Sequence, residues 1–181
     1  MHATRARDRI GSGGAGKSTL AARLGERLAL PVVHLDAEHW QTGWVPTPPD
    51  GWARRVAQFA AEEAWIMDGN YGGTLDARLA ACDTVIFLDL PRRVCAWRVL
   101  RRTARFYGRS RPDMAPGCPE RLSLEFLRWV WDYPSRRRPA ILCKLDALQP
   151  NRRVVVLRSA ADVERYVASV APPGASEQRA G

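Results

Sequence analysis

The run Gly11-Ser12-Gly13-Gly14-Ala15-Gly16-Lys17-Ser18 constrains this chain more than any other feature, because it fits G-x-x-x-x-G-K-[ST] in full. Glycines let successive backbone N–H groups turn inward around an anion with no Cβ in the way. In that pattern Lys17 reaches the β/γ-phosphates of a nucleotide, and the Ser18 hydroxyl is a ligand for Mg²⁺. A helix opening at Lys17 aims its positive end at the same anion. Gly11 to Ser18, together with Thr19, therefore form the expected nucleotide-binding set.

Such a loop normally follows a strand in the middle of a parallel sheet, which reads as a continuous apolar run. Here the preceding residues are Thr4-Arg5-Ala6-Arg7-Asp8-Arg9-Ile10. Burying those charges unpaired costs several kcal/mol each. The expectation is a first strand that is short, exposed or distorted, or a start that is not the natural one.

Beyond the loop, short apolar runs alternate with helix-length stretches, the pattern of a parallel sheet covered by helices. Strands are expected at Pro31 to Leu35, Trp65 to Met67, Thr84 to Leu88 and Val154 to Leu157. Leu20, Leu24 and Leu28 mark one face of a helix over 17–30. Further helices are expected over 52–64, 92–106, 120–131 and 162–170, the last entered through a Ser159 or Asp162 cap. The 181 residues then form one domain over 1–171, with a disordered tail over 172–181.

Asp36, Asp68 and Asp89 each follow an expected strand, where α/β sheets bind ligands. An aspartate there can equally cap a helix or turn. Asp68 leads into Gly69-Asn70-Tyr71, where the glycine permits close backbone approach, and Asp36 leads into Glu38, His39 and Trp40. Asp89 precedes Leu90-Pro91 and reads as a strand exit. Trp40 and Trp44, in a stretch rich in proline, suggest an ordered loop that either stacks on an acceptor or packs as a cap. Trp129 and Trp131, two apart on a helix, face different directions.

The net charge of +9 comes from 28 basic and 19 acidic side chains. Residues 92–138 hold 13 arginines against Asp113, Glu120, Glu125 and Asp132, so this segment carries the whole excess. Arg98, Arg101, Arg102 and Arg105 share one helix stripe, either as a solvated face or as groups that neutralise phosphate oxygens. Duplex DNA is the other partner such a cluster suits, although no nucleic-acid motif accompanies it. No apolar run reaches the ~18 residues of a membrane span, and no signal peptide is visible. The four cysteines show no metal-ligand spacing, so a reducing cytoplasm is the expected compartment.

The phosphate loop, His34 to Trp40, Trp65 to Tyr71 and the run from Asp83 to Arg93 together resemble adenylate-kinase-like P-loop kinases. The stretch from Arg109 to Pro139 is similar to a narrower group, the bacterial topology modulation (FlaR-like) proteins. The resemblance spans roughly residues 11–170. It implies a three-layer α/β P-loop NTPase with a five-stranded parallel sheet and a small arginine-rich lid over about 98–116. It further implies Mg-ATP-dependent phosphorylation of a small-molecule or nucleotide acceptor, with Asp68 as the Walker B-type metal aspartate. Asp36 then lies near magnesium and acceptor, and Arg102 and Arg105 approach the phosphates. Gly69-Asn70-Tyr71-Gly72 stands where adenylate kinases have Gly-Phe-Pro-Arg, so AMP is not implied as the acceptor. A nucleotide-gated DNA-binding protein is the alternative.

Overall fold

A computed structural model describes residues 6–148 and 152–171; the expected tail over 172–181 lies outside them. The central sheet has five parallel strands: β1 (Ala6–Gly11), β2 (Val32–His34), β5 (Trp65–Asp68), β6 (Thr84–Leu88) and β7 (Arg153–Leu157), in the order β2-β5-β1-β6-β7. A separate antiparallel hairpin pairs β3 (Trp40–Gln41) with β4 (Val45–Pro46).

Alternation along the strands divides the core in two. Ile66, Ile86 and Leu88 face one layer, with Leu20 and Leu24 of α1 (Lys17–Leu28), Cys95 and Val99 of α5 (Arg92–Phe106), Val130 of α6 (Leu124–Arg136) and Val167 of α8 (Ala160–Ser169). Met67, Val85 and Phe87 face the other, with Trp52 and Val56 of α3 (Pro49–Ala61), Leu75 and Leu79 of α4 (Gly72–Ala81) and Leu145 of α7 (Arg138–Asp146). The result is the three-layer α/β arrangement the alternating pattern predicts.

The first strand departs from expectation. β1 is neither short nor exposed: all six residues are buried, in continuous register with β5 and β6. Its charges are accommodated one by one. Asp8 points toward α4, where Arg78 Nη1 donates to Asp8 Oδ1 at 2.6 Å, and both side chains are fully buried. Arg7 points the opposite way and donates to Tyr166 Oη of α8 at 3.4 Å. Arg9 lies in register with Asp68 and is fully buried, and its three guanidinium nitrogens have no hydrogen-bond partner among the described residues. Burial pulls Arg9 down to about 10 even though Asp68 and Asp8 oppose the shift.

Several boundaries also shift. The second strand stops at His34, and Leu35 opens a short helix, α2 (Leu35–His39), so Asp36 sits in a first helical turn rather than in a loop. The helix expected from Glu120 begins at Leu124, capped by Ser123 Oγ, because Glu120 is consumed by ion pairs described below. Helices α4 and α7 have no counterpart in the sequence reading. Ser159, not Asp162, caps α8, its hydroxyl accepting from the Asp162 N–H at 3.1 Å. Among the described residues, no helix is long and apolar enough to cross a membrane.

Candidate functional site

The carboxyl ends of β2, β5 and β1 converge below the glycine loop, and strand order determines which side chains meet there. The loop runs from β1 into α1 with Gly14 and Gly16 at positive φ, 75° and 98°. A Cβ on Gly14 would lie 2.3 Å from the Cys95 carbonyl oxygen of α5, so only glycine fits this crossing. Gly16 caps α1 with no side-chain hydrogen bond and no acidic residue in the first turn, which leaves the helix's positive end without an anion of its own. Lys17 Nζ donates to the Ser12 carbonyl at 3.1 Å, folding back over the loop. Thr19 is exposed on α1.

Asp68 ends β5 beneath this loop and is 4% exposed. Ser18 stands beside its carboxylate and favours the charged form, and His34 Nδ1 lies 2.8 Å from Asp68 Oδ2. Burial alone pushes the pKa of this carboxyl up, but the His34 ring, Lys17 and Ser18 outweigh it and hold Asp68 below 3.8. The same hydrogen bond lifts His34 above 6.5. The register His34↔Asp68 across β2–β5 makes this pairing possible. A carboxylate that stays ionised beside a hydroxyl and an uncapped helix start is a hard-oxygen donor set of the kind Mg²⁺ uses together with phosphate oxygens.

The turn after Asp68 is pinned from below. Asn70 Oδ1 accepts from the Gly11 N–H at 3.1 Å, and Arg78 donates to the carbonyls of Gly69 and Asn70 at 3.1 and 3.4 Å. Arg78 thus ties Asp8, the Asp68 turn and α4 into one unit. Sequence reasoning missed it because α4 itself was not apparent; a charged residue between Leu75 and Leu79 on one helix face was the available signal.

Asp36 lies in the first turn of α2. Tyr71 Oη donates to Asp36 Oδ1 at 2.7 Å, and burial followed by the Asp36 charge keeps the phenol protonated. The Tyr71 ring packs against His39 and Trp52 with centroids 4.6 and 4.9 Å apart. Trp40 and Trp44 lie on the hairpin, 5.5 Å apart, and pack on Met114, Ala115 and Cys118. Trp129 stacks inside on Phe126, while Trp131 is 42% exposed.

The helix stripe on α5 divides. Arg98 Nη1 donates to the Ala15 carbonyl of the loop at 3.2 Å. Arg102 is instead engaged by Glu120 Oε1 at 3.1 Å, and Arg111 Nε lies 2.9 Å from Glu120 Oε2. Arg105 is exposed, its guanidinium 5.4 Å from the Phe106 ring. Lys17, Ser18 and Asp68 are therefore brought together and Arg98 reaches the same loop, while Asp36 is held by Tyr71 in the turn after Asp68 and Arg105 stands apart. Residues 107–123 connect α5 to α6 and dock on the hairpin, with Gly43 N–H donating to Gly117 O at 2.9 Å and Trp44 Nε1 to Pro119 O at 3.2 Å. The expected lid over 98–116 thus straddles the last turns of α5 and the first part of this segment.

No family model matches the chain. Over 125 residues it is 30% identical to the uncharacterized protein YqaC of Bacillus subtilis (strain 168), covering 67% of this chain and 68% of that protein. The chain belongs to the YqaC family. Among solved structures, this YqaC relative is similar to a shikimate kinase from Acinetobacter baumannii in complex with shikimate, with TM-score 0.57, 15% identity, and 91% of this chain and 89% of that one covered. It is also similar to a deoxyadenosine kinase from M. mycoides with bound dATP, at TM-score 0.52 and 12% identity, covering 90% and 95%. A sugar kinase from Janibacter sp. HTCC2649 matches at TM-score 0.50 and 20% identity, covering 92% and 94%. The fold is that of the P-loop kinases.

Proposed function

We propose that this protein is a Mg-ATP-dependent kinase that transfers the γ-phosphoryl group to a hydroxyl of a small-molecule or nucleotide acceptor in the cytoplasm. The observation that carries the reading is the meeting of Lys17, Ser18 and a buried, ionised Asp68 at an uncapped helix start under a glycine loop. In this reading the backbone at Gly13 to Lys17 cradles the phosphate chain, and Lys17 leaves the Ser12 carbonyl to reach the β/γ end. Ser18 and Asp68 would hold Mg²⁺, which when bound neutralises charge on the β- and γ-oxygens. Tyr71 fixes Asp36 through Oδ1, leaving Oδ2 to receive the acceptor's hydroxyl proton as the new O–P bond forms and the β–γ bridging bond breaks. Arg98 stands at the loop; Arg102 joins it on release from Glu120. The narrower likeness to topology modulation proteins rests on residues 109–139 alone.

Screening nucleosides, nucleotides and sugar acids for acceptor-dependent ADP release tests the reading. Lys17→Ala is expected to abolish turnover and weaken ATP binding at least about tenfold. ATP binding unchanged in Lys17→Ala would overturn the site.

A further inference from the structure

At the start of α5, a cavity of about 470 Å³ opens at the carboxyl ends of β6 and β7. Arg92, Arg93, Arg138 and Arg158 line it, with Asp89 as the one carboxylate. Arg138 takes both Asp89 oxygens, at 2.7 and 2.9 Å, and Arg158 lies 3.9 Å from Asp89. Asp89 is thereby committed, and among the described residues Arg92 and Arg93 have no carboxylate in salt-bridge reach. The Arg92 guanidinium is held 4.6 Å from the Trp131 ring centroid, which orients it before any ligand arrives. The first turn of α5 points into the same space with no side-chain cap and no acidic residue.

We propose that this cavity is a second anion site, which takes a small phosphorylated molecule carrying two or more negative charges. Planar guanidinium groups match phosphate oxygens in pairs, and the surplus of arginine over carboxylate here calls for a polyvalent anion. The site is separate from the phosphate loop. Contacts to the loop come from Cys95 and Arg98, one and two turns further along α5.

Pyrophosphate titrated calorimetrically into the full chain at near-physiological salt is the test. The wild type is expected to bind two equivalents, and each of Lys17→Ala and the double variant Arg93→Ala/Arg158→Ala one. Arg93 and Arg158 are exposed, so the double variant keeps its fold; a melting temperature equal to wild type checks this. A wild type that binds a single equivalent, kept in Lys17→Ala and lost in the double variant, supports the cavity and counts against the nucleotide reading. A second equivalent retained in the double variant, or wild-type binding wholly lost in Lys17→Ala, overturns the proposal. So does a duplex of roughly 20 base pairs that binds the arginines, loses affinity in the double variant, and leaves pyrophosphate at one equivalent throughout.

Discussion

Asp8 and Arg78 form a 2.6 Å ion pair with no solvent exposure on either side, joining the central strand to α4 directly beneath the Asp68 turn. Burial drives the Asp8 carboxyl upward, and Arg78 is the chief group opposing it. Arg78→Ala removes that partner and leaves a buried carboxylate, a change that costs on the order of 3–5 kcal/mol. Asp8→Val combined with Arg78→Met removes both charges and is expected to recover part of the loss. What remains is about 1 kcal/mol for each carbonyl contact to Gly69 and Asn70. Urea unfolding of the two variants checks this, and equal losses in both would show that the pairing is not what matters.

Arg9 presents the reverse case. Its guanidinium is buried without hydrogen-bond partners among the described residues, so its desolvation is only partly offset by the charges of Asp68 and Asp8. Arg9→Met keeps the volume and removes the charge. We expect it to stabilise the protein, because desolvation outweighs the attraction of Asp68 and Asp8, and to raise the melting temperature by roughly 2–4 °C for each kcal/mol gained. A lower melting temperature would mean that Arg9 is paired more effectively than its contacts indicate.

These two side chains also mark where sequence reading stops. The glycine loop, α1, β5, β6 and α5 are legible because local spacing alone specifies them, and Asp68 is legible because it ends a strand. β1 is not, since its burial depends on Arg78, 70 residues away, and on Tyr166, 159 residues away. Glu120 reads as a helix start because its polar side chain and the apolar run after it fit that pattern. Only the approach of Arg102 and Arg111 reveals that it is an ion-pair centre. Likewise His34 meets Asp68 through the order β2-β5-β1, which no spacing encodes.

The two described histidines depart from 6.5 in opposite directions, and each makes a pH prediction. His34 is raised by its hydrogen bond to Asp68. Its stabilising contribution is complete below 6.5 and is lost as pH rises through the higher folded value. His39, packed among Trp40, Trp52 and Tyr71, is lowered by burial against the opposing Asp36 charge. Its contribution is present above 6.5 and is lost as pH falls through the lower folded value. Titration of the imidazole ring protons by NMR should place His34 above His39, and Asp68→Asn should bring His34 down while His39 stays. The reverse order would refute both assignments.

Gly117 tests whether the 107–123 segment and the hairpin behave as one unit. Its φ is 76°, and a Cβ there would lie 2.5 Å from the Thr42 methyl carbon. Gly117→Ala therefore strains the backbone and pushes Thr42 away, which disturbs the bonds from Gly43 to Gly117 and from Trp44 to Pro119 together. The shared apolar patch of Trp40, Trp44, Met114, Ala115 and Cys118 is separate from both main cores, so its loss leaves the sheet intact. Hydrogen exchange is expected to rise at least about tenfold over 40–46 and 109–120 in concert, with β5 and β6 unchanged. If only the 109–120 segment gained exchange, the hairpin would be held by α3 and not by this contact.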